Sequence, residues 1–188
     1  MRHFSFCVLF FLPISMPLGA ADFELNEDSL AELSRDVHKV FAKHSGYRFK
    51  KVPAIVLSSP REIGAVLKVE LLSQYKSLKE YNEATARKMA ALYSQIIAKA
   101  LMAKYAVEKH QVLVSKVGIE KMSGLISVPA LRTREVLASI LVHELVHAMD
   151  AESTGVFARL GTAKTTDALW VLNCLVEGHA QHVARGIC

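Results

Sequence analysis

The segment from Arg134 to Ala151 constrains this chain more than any other. Ile140, Leu141, Val142, Leu145, Val146, Ala148 and Met149 leave no side of a helix consistently polar. A helix that is apolar nearly all round belongs inside a core, with the rest of the chain wrapped about it. Thr133 is the candidate N-cap. The same helix carries His143, Glu144, His147 and Asp150, side chains that are costly to bury without partners. With 188 residues, 52% hydrophobic and 22% charged, the chain is long enough for one real core and too apolar for intrinsic disorder.

His143, Glu144 and His147 form H-E-x-x-H. Residues four apart share a helical face, about 6 Å apart along the axis. Two imidazoles so placed can converge on one Zn²⁺ with bonds of about 2 Å. Glu144 sits about 100° round the helix, within reach of a water on the ion without being a ligand. The plain alternative is a pair of core histidines satisfied by hydrogen bonds. A zinc site also needs a third protein ligand and an open corner. A metzincin would place His six residues after His147, and Ser153 stands there. The candidate is Glu177, on a predicted helix capped by Thr165, Thr166 or Asp167 and ending near Gly186, with Leu169, Leu172, Leu175 and Val176 on its apolar side. His179 and His182 lie about 200° and 140° round from Glu177, so neither shares its direction. His179, Asp150 and Glu152 remain the other candidates for third ligand. Asp150 reads as an acceptor orienting a ligand imidazole, or as a plain helix-end carboxylate. Gly178, costing a helix interior about 1 kcal/mol against Ala, predicts a close backbone approach.

These residues resemble the gluzincins, the thermolysin-like zinc metallopeptidases. The resemblance covers about Leu131 to Ala184, and the E-G-x-A form at Glu177 is similar to small bacterial families of the group. It implies that His143, His147 and Glu177 ligate Zn²⁺ and that Glu144 is the catalytic base. It also implies a peptide or protein substrate bound extended along a sheet edge, with Leu125 to Pro129 as the expected edge. The expected fold is α+β: a mostly helical, zincin-like single domain of residues 22–188 with a small sheet, its metal helix packed on the Glu-bearing helix. A compact minigluzincin form suits the length. A second oxyanion donor is expected among His179, His182, Tyr47 and Tyr105. Two readings from other classes share the sequence: a non-proteolytic zinc-binding chaperone-like or scaffold domain, and a helical interaction module built on residues 60–109.

Elsewhere the patterns are local. Residues 1–21 read as a signal peptide, with Arg2 and His3, an apolar run from Phe4 to Leu12, and small residues Gly19-Ala20-Ala21; an exported, periplasmic or secreted protein is expected. Cys174 and Cys188 then remain, about 20 Å apart if the last helix is continuous and so beyond disulfide reach. Net charge is +5, and the densest basic stretch, Arg48, Lys50 and Lys51, lacks interleaved aromatics. No nucleic-acid partner is expected, and no apolar run supports stable membrane insertion. A first helix starts at Asn26 or Asp28 and ends at Gly46. Val52 to Ser58 predicts a strand whose Pro53 marks its start or a sheet edge. Ser59-Pro60-Arg61-Glu62 starts helical sequence reaching about Lys109, broken near 77–82. Its second part is predicted to bury Met89, Leu92, Tyr93, Ile96, Ile97, Ala100 and Leu101. Residues 111–116 and 125–129 predict strands joined through Gly118 and Gly124.

Overall fold

The computed structural model describes residues 22–188, so the expected signal peptide lies outside the described residues. Helix α1 (Glu27–Ser45) starts at Asn26, which exchanges hydrogen bonds with Ser29, and stops at Gly46 in the left-handed region at φ 68°. Strand β1 (Ala54–Leu57) follows. Helix α2 (Pro60–Ser77) opens on the expected reciprocal cap between Ser59 and Glu62. The chain breaks and restarts at Asn82 as α3 (Glu83–Ala98). Strands β2 (Ala103–Ala106) and β3 (Gln111–Val114) come next, then α4 (Lys116–Leu125) and a 3₁₀ turn (Pro129–Arg132). Three helices complete the chain: α5 (Arg134–Ser153), α6 (Val156–Leu160) and α7 (Thr166–Ile187).

The fold is α+β, mostly helical with a three-stranded sheet in the order β1-β3-β2. β1 runs parallel to β3, with Ala54 opposite Gln111, and β2 runs antiparallel to it, with Ala103 opposite Val114. β1 is thus an edge strand, and Pro53 precedes it without breaking the ladder. α5 occupies the centre. Its Val136, Leu137, Ile140, Leu141, Val142, Leu145 and Val146 share one core with Leu33, Val37 and Phe41 of α1, Tyr105, Val112 and Val114 of the sheet, and Ala180 and Ala184 of α7. Among the described residues no helix is long and apolar enough to cross a membrane.

Three expectations are corrected. The helical sequence ends at Ala98, not near Lys109. Ala103-Lys104-Tyr105-Ala106 has helix-favouring composition, but β3 recruits it as a strand, burying Tyr105 and Ala106 while Lys104 pairs with Glu70 at 2.9 Å. Residues 125–129 are not a strand. Ser115 caps α4 by accepting from the Gly118 N–H, and the backbone then folds on itself, with the N–H groups of Ile126 and Val128 donating to Met122 and Ser123 carbonyls. No ladder is left for a sheet edge there. Gly118 sits within this helix because a Cβ would meet the Leu101 carbonyl oxygen at 1.9 Å. In α3 the buried stripe is Ala86, Ala90, Ser94 and Ala98, whereas Leu92 and Ile96 are exposed. Small residues win that face because α2 approaches closely: a Cβ on Gly64 would stand 3.4 Å from that of Ala98.

Candidate metal centre

Buried apolar neighbours fix α5, and with it the two imidazoles. His143, Glu144 and His147 are 5%, 6% and 6% exposed. Helix α7 lies against α5. Thr165 caps it by accepting from the Ala168 N–H, and its buried line is Leu169, Val176, Ala180 and Ala184. Next to that line, Glu177 extends toward α5. Its Oε2 lies 3.3 Å from His143 Nε2 and its Oε1 3.6 Å from His147 Nε2, while the two Nε2 atoms are 3.1 Å apart. A tetrahedral ion with bonds of about 2.0–2.1 Å holds its ligand atoms about 3.3 Å apart. The two imidazole nitrogens, each with one Glu177 oxygen at 3.3 or 3.6 Å, therefore stand close to that spacing. Glu177 is 56% exposed at its side chain, whereas both imidazoles are buried.

The electrostatics favour a cation. Burial acts to lower the His143 pKa, but its hydrogen bond to Glu177 and the Glu144 and Glu177 charges carry it above the ordinary histidine value. Glu177 is raised by its surroundings, yet the hydrogen bonds from His143 and His147 hold it well below the usual carboxylate range. Two imidazoles beside two carboxylates stabilise positive charge, and a divalent ion supplies it without requiring either ring to be protonated. The donor set, two nitrogens and one oxygen, suits Zn²⁺ and is compatible with other divalent first-row ions.

One ring nitrogen each of His143 and His147 and a Glu144 carboxylate oxygen lie within 4.8 Å of one another, a group that could hold a metal ion. Glu144 Oε2 accepts the backbone N–H of Tyr105 at 2.6 Å. In the β2–β3 register, the Ser115 N–H bonds the Met102 carbonyl, so the even-numbered residues of β2 face β3. The N–H and carbonyl of Tyr105 consequently point off the free edge, toward α5. Phe157 of α6 packs edge-on against His147 at 6.0 Å and against Tyr105 at 6.4 Å, walling one side.

The remaining polar candidates have other partners. Asp150, 3% exposed, bonds His179 Nδ1 at 2.9 Å and does not orient a ligand imidazole as expected. Glu152 accepts from Tyr47 and from Lys50, away from the imidazole pair. The Tyr105 hydroxyl bonds His110, and His182 is exposed on α7. Gly178 departs from expectation: among the described residues no atom outside its own stretch of helix lies within 4 Å of where its Cβ would be, so no close backbone approach there explains it. Cys174 and Cys188 are both free and exposed, as a continuous α7 requires. Sequence reasoning missed His110 and the Tyr105 N–H, because one sits in a turn and the other is a backbone group that no side-chain pattern reports. Comparison with protein-family models, with curated proteins and with solved structures finds no match to this chain.

Proposed function

We propose that this chain is an exported, zinc-dependent metallopeptidase of gluzincin type with a compact zincin-like fold, in which His143, His147 and Glu177 hold the metal and Glu144 is the base. The observation that carries this reading is the pair of imidazole nitrogens 3.1 Å apart, each facing one oxygen of Glu177 at 3.3 and 3.6 Å, with the Glu144 carboxylate beside them. When bound, the ion supplies Lewis-acid chemistry, polarising a carbonyl and bringing the pKa of water toward about 7.

The chain's own residues do the rest. Glu144 accepts the proton of the attacking water and delivers it to the departing amine nitrogen. The Tyr105 N–H, donating to one Glu144 oxygen, fixes the direction of the carboxylate and leaves its other oxygen for the water. Residues 125–129 offer no edge for an extended peptide, and on β2 the outward N–H and carbonyl of Tyr105 are taken by Glu144 and Lys104 Nζ. His179, half-exposed and oriented by buried Asp150, is the favoured second oxyanion donor. Tyr47 and Tyr105 have their hydroxyls engaged with Glu152 and His110.

The test joins metal analysis to a broad peptide-library screen. Stoichiometric zinc with cleavage is expected in the wild type. Glu144→Gln should keep the zinc and lose hydrolysis, and His143→Ala should lose both. Zinc without cleavage of any peptide favours the non-proteolytic chaperone-like or scaffold reading. Cleavage by Glu144→Gln at the wild-type rate overturns the role given to that carboxylate.

A further inference from the structure

A second polar cluster lies along the same metal helix, beyond the trio. Glu152 is two turns past Glu144 on α5. Its Oε2 accepts from the Tyr47 hydroxyl at 3.0 Å and from the Lys50 N–H at 3.1 Å, and its Oε1 faces His110 Nε2 at 3.7 Å. His110 stands in the turn between β2 and β3 at φ 52°, a left-handed conformation uncommon for a residue with a Cβ. It is held there by both ring nitrogens. Nε2 bonds the Lys51 carbonyl, and Nδ1 bonds the Tyr105 hydroxyl at 2.8 Å. A carbonyl only accepts, so Nε2 carries the hydrogen, and Nδ1 of the neutral ring accepts from Tyr105. Burial first, and the Glu152 charge second, push the Tyr105 phenol up to about 12, so it remains a donor.

Tyr105 therefore makes two different attachments. Its side chain is tied through His110 to the 47–51 loop and Glu152, while its backbone N–H is tied to Glu144. We propose that His110 and Glu152 are positioning residues for Glu144: they clamp the β2 edge to α5, keep the Tyr105 N–H on the carboxylate, and fix the gap between the metal helix and the edge strand. The clamp rests on this geometry. Its consequence for turnover rests on the metallopeptidase reading above. Evenly spread stiffening of the fold would not single out one outward-facing amide, and that difference can be measured.

The experiment follows amide hydrogen exchange by NMR in the full chain, with His110→Ala and Tyr105→Phe, and titrates zinc into the same proteins. Loss of the clamp should speed exchange of the Tyr105 amide by about tenfold, the scale set by one net hydrogen bond. The ladder amides of Lys104 and Leu113 should hold their wild-type rates. Zinc affinity should also hold, because neither substitution touches His143, His147 or Glu177. If hydrolysis is found, kcat should fall with KM little changed, and His110→Gln, which can still donate to the Lys51 carbonyl, should recover part of the loss. Should His110→Ala loosen the ladder as a whole, Tyr105→Phe decides, since it deletes one hydroxyl only. An unchanged Tyr105 amide in Tyr105→Phe overturns the clamp even if the protein proves to be a zinc peptidase. A faster Tyr105 amide in a protein that never cleaves leaves the clamp standing and removes the peptidase reading.

Discussion

At the scale of single residues, two carboxylates on neighbouring helices face different histidines. Glu177 stands 3.3 and 3.6 Å from the two Nε2 atoms of the trio. Asp150, only three residues beyond His147, turns to His179 instead. Removing a ligand should cost more than removing an outer partner, whose loss typically lowers metal affinity by about 10–100-fold. Glu177→Ala should therefore weaken zinc binding beyond that range, while Asp150→Asn should leave it nearly untouched and lower turnover. Isothermal titration of both variants separates the two roles, and equal weakening would contradict them. The H-E-x-x-H pair was legible because a helix converts sequence spacing directly into direction. The phase argument likewise separated Glu177 from His179. The partner of Asp150 was not legible, because it depends on how two helices cross, and no spacing within one helix encodes that.

At the scale of elements, the glycines separate what a local pattern encodes from what packing imposes. Gly118 resembles a turn residue in sequence and lies inside α4, where a Cβ would collide with the Leu101 carbonyl oxygen at 1.9 Å. Gly178 resembles a packing glycine and faces open space. Gly118→Ala should therefore destabilise the fold by about 2–3 kcal/mol, the scale of overpacking against backbone that cannot retreat. Gly178→Ala should raise stability by up to about 1 kcal/mol through helix propensity alone. Urea melts of the two variants give opposite signs if this is right. The caps at Asn26, Ser59 and Thr165 were readable because each uses a side chain within three residues of its target. β2 was not, since Ala and Lys favour a helix and only the long-range ladder to β3 makes them a strand.

Across the whole molecule, the network that ties the 47–51 loop, the β2–β3 turn and the end of α5 together runs through one carboxylate, and this gives stability a pH dependence of definite sign. The protein around Glu152 acts to raise its pKa. The Lys50 N–H, the Tyr47 hydroxyl and the Lys51 N–H more than offset this and hold it below its ordinary 4.5. In the unfolded chain that group takes up its proton at the higher pH. Near and below 4.5 the unfolded state therefore binds more protons, and folding stability falls as the medium is acidified. The contribution is full above the unfolded pKa and is lost as pH passes down through the folded one. Glu62 and Glu83 are lowered as well, by Ser59 and Arg87 in the main, but both lie in open solvent where screening leaves little to lose. Glu152→Gln keeps an acceptor for Tyr47 and Lys50 and cannot titrate. It should be less stable than the wild type at neutral pH, and the two stability curves should converge as the pH is lowered toward 3. Parallel curves from urea unfolding across that range would mean that Glu152 is not the group through which acid loosens this junction.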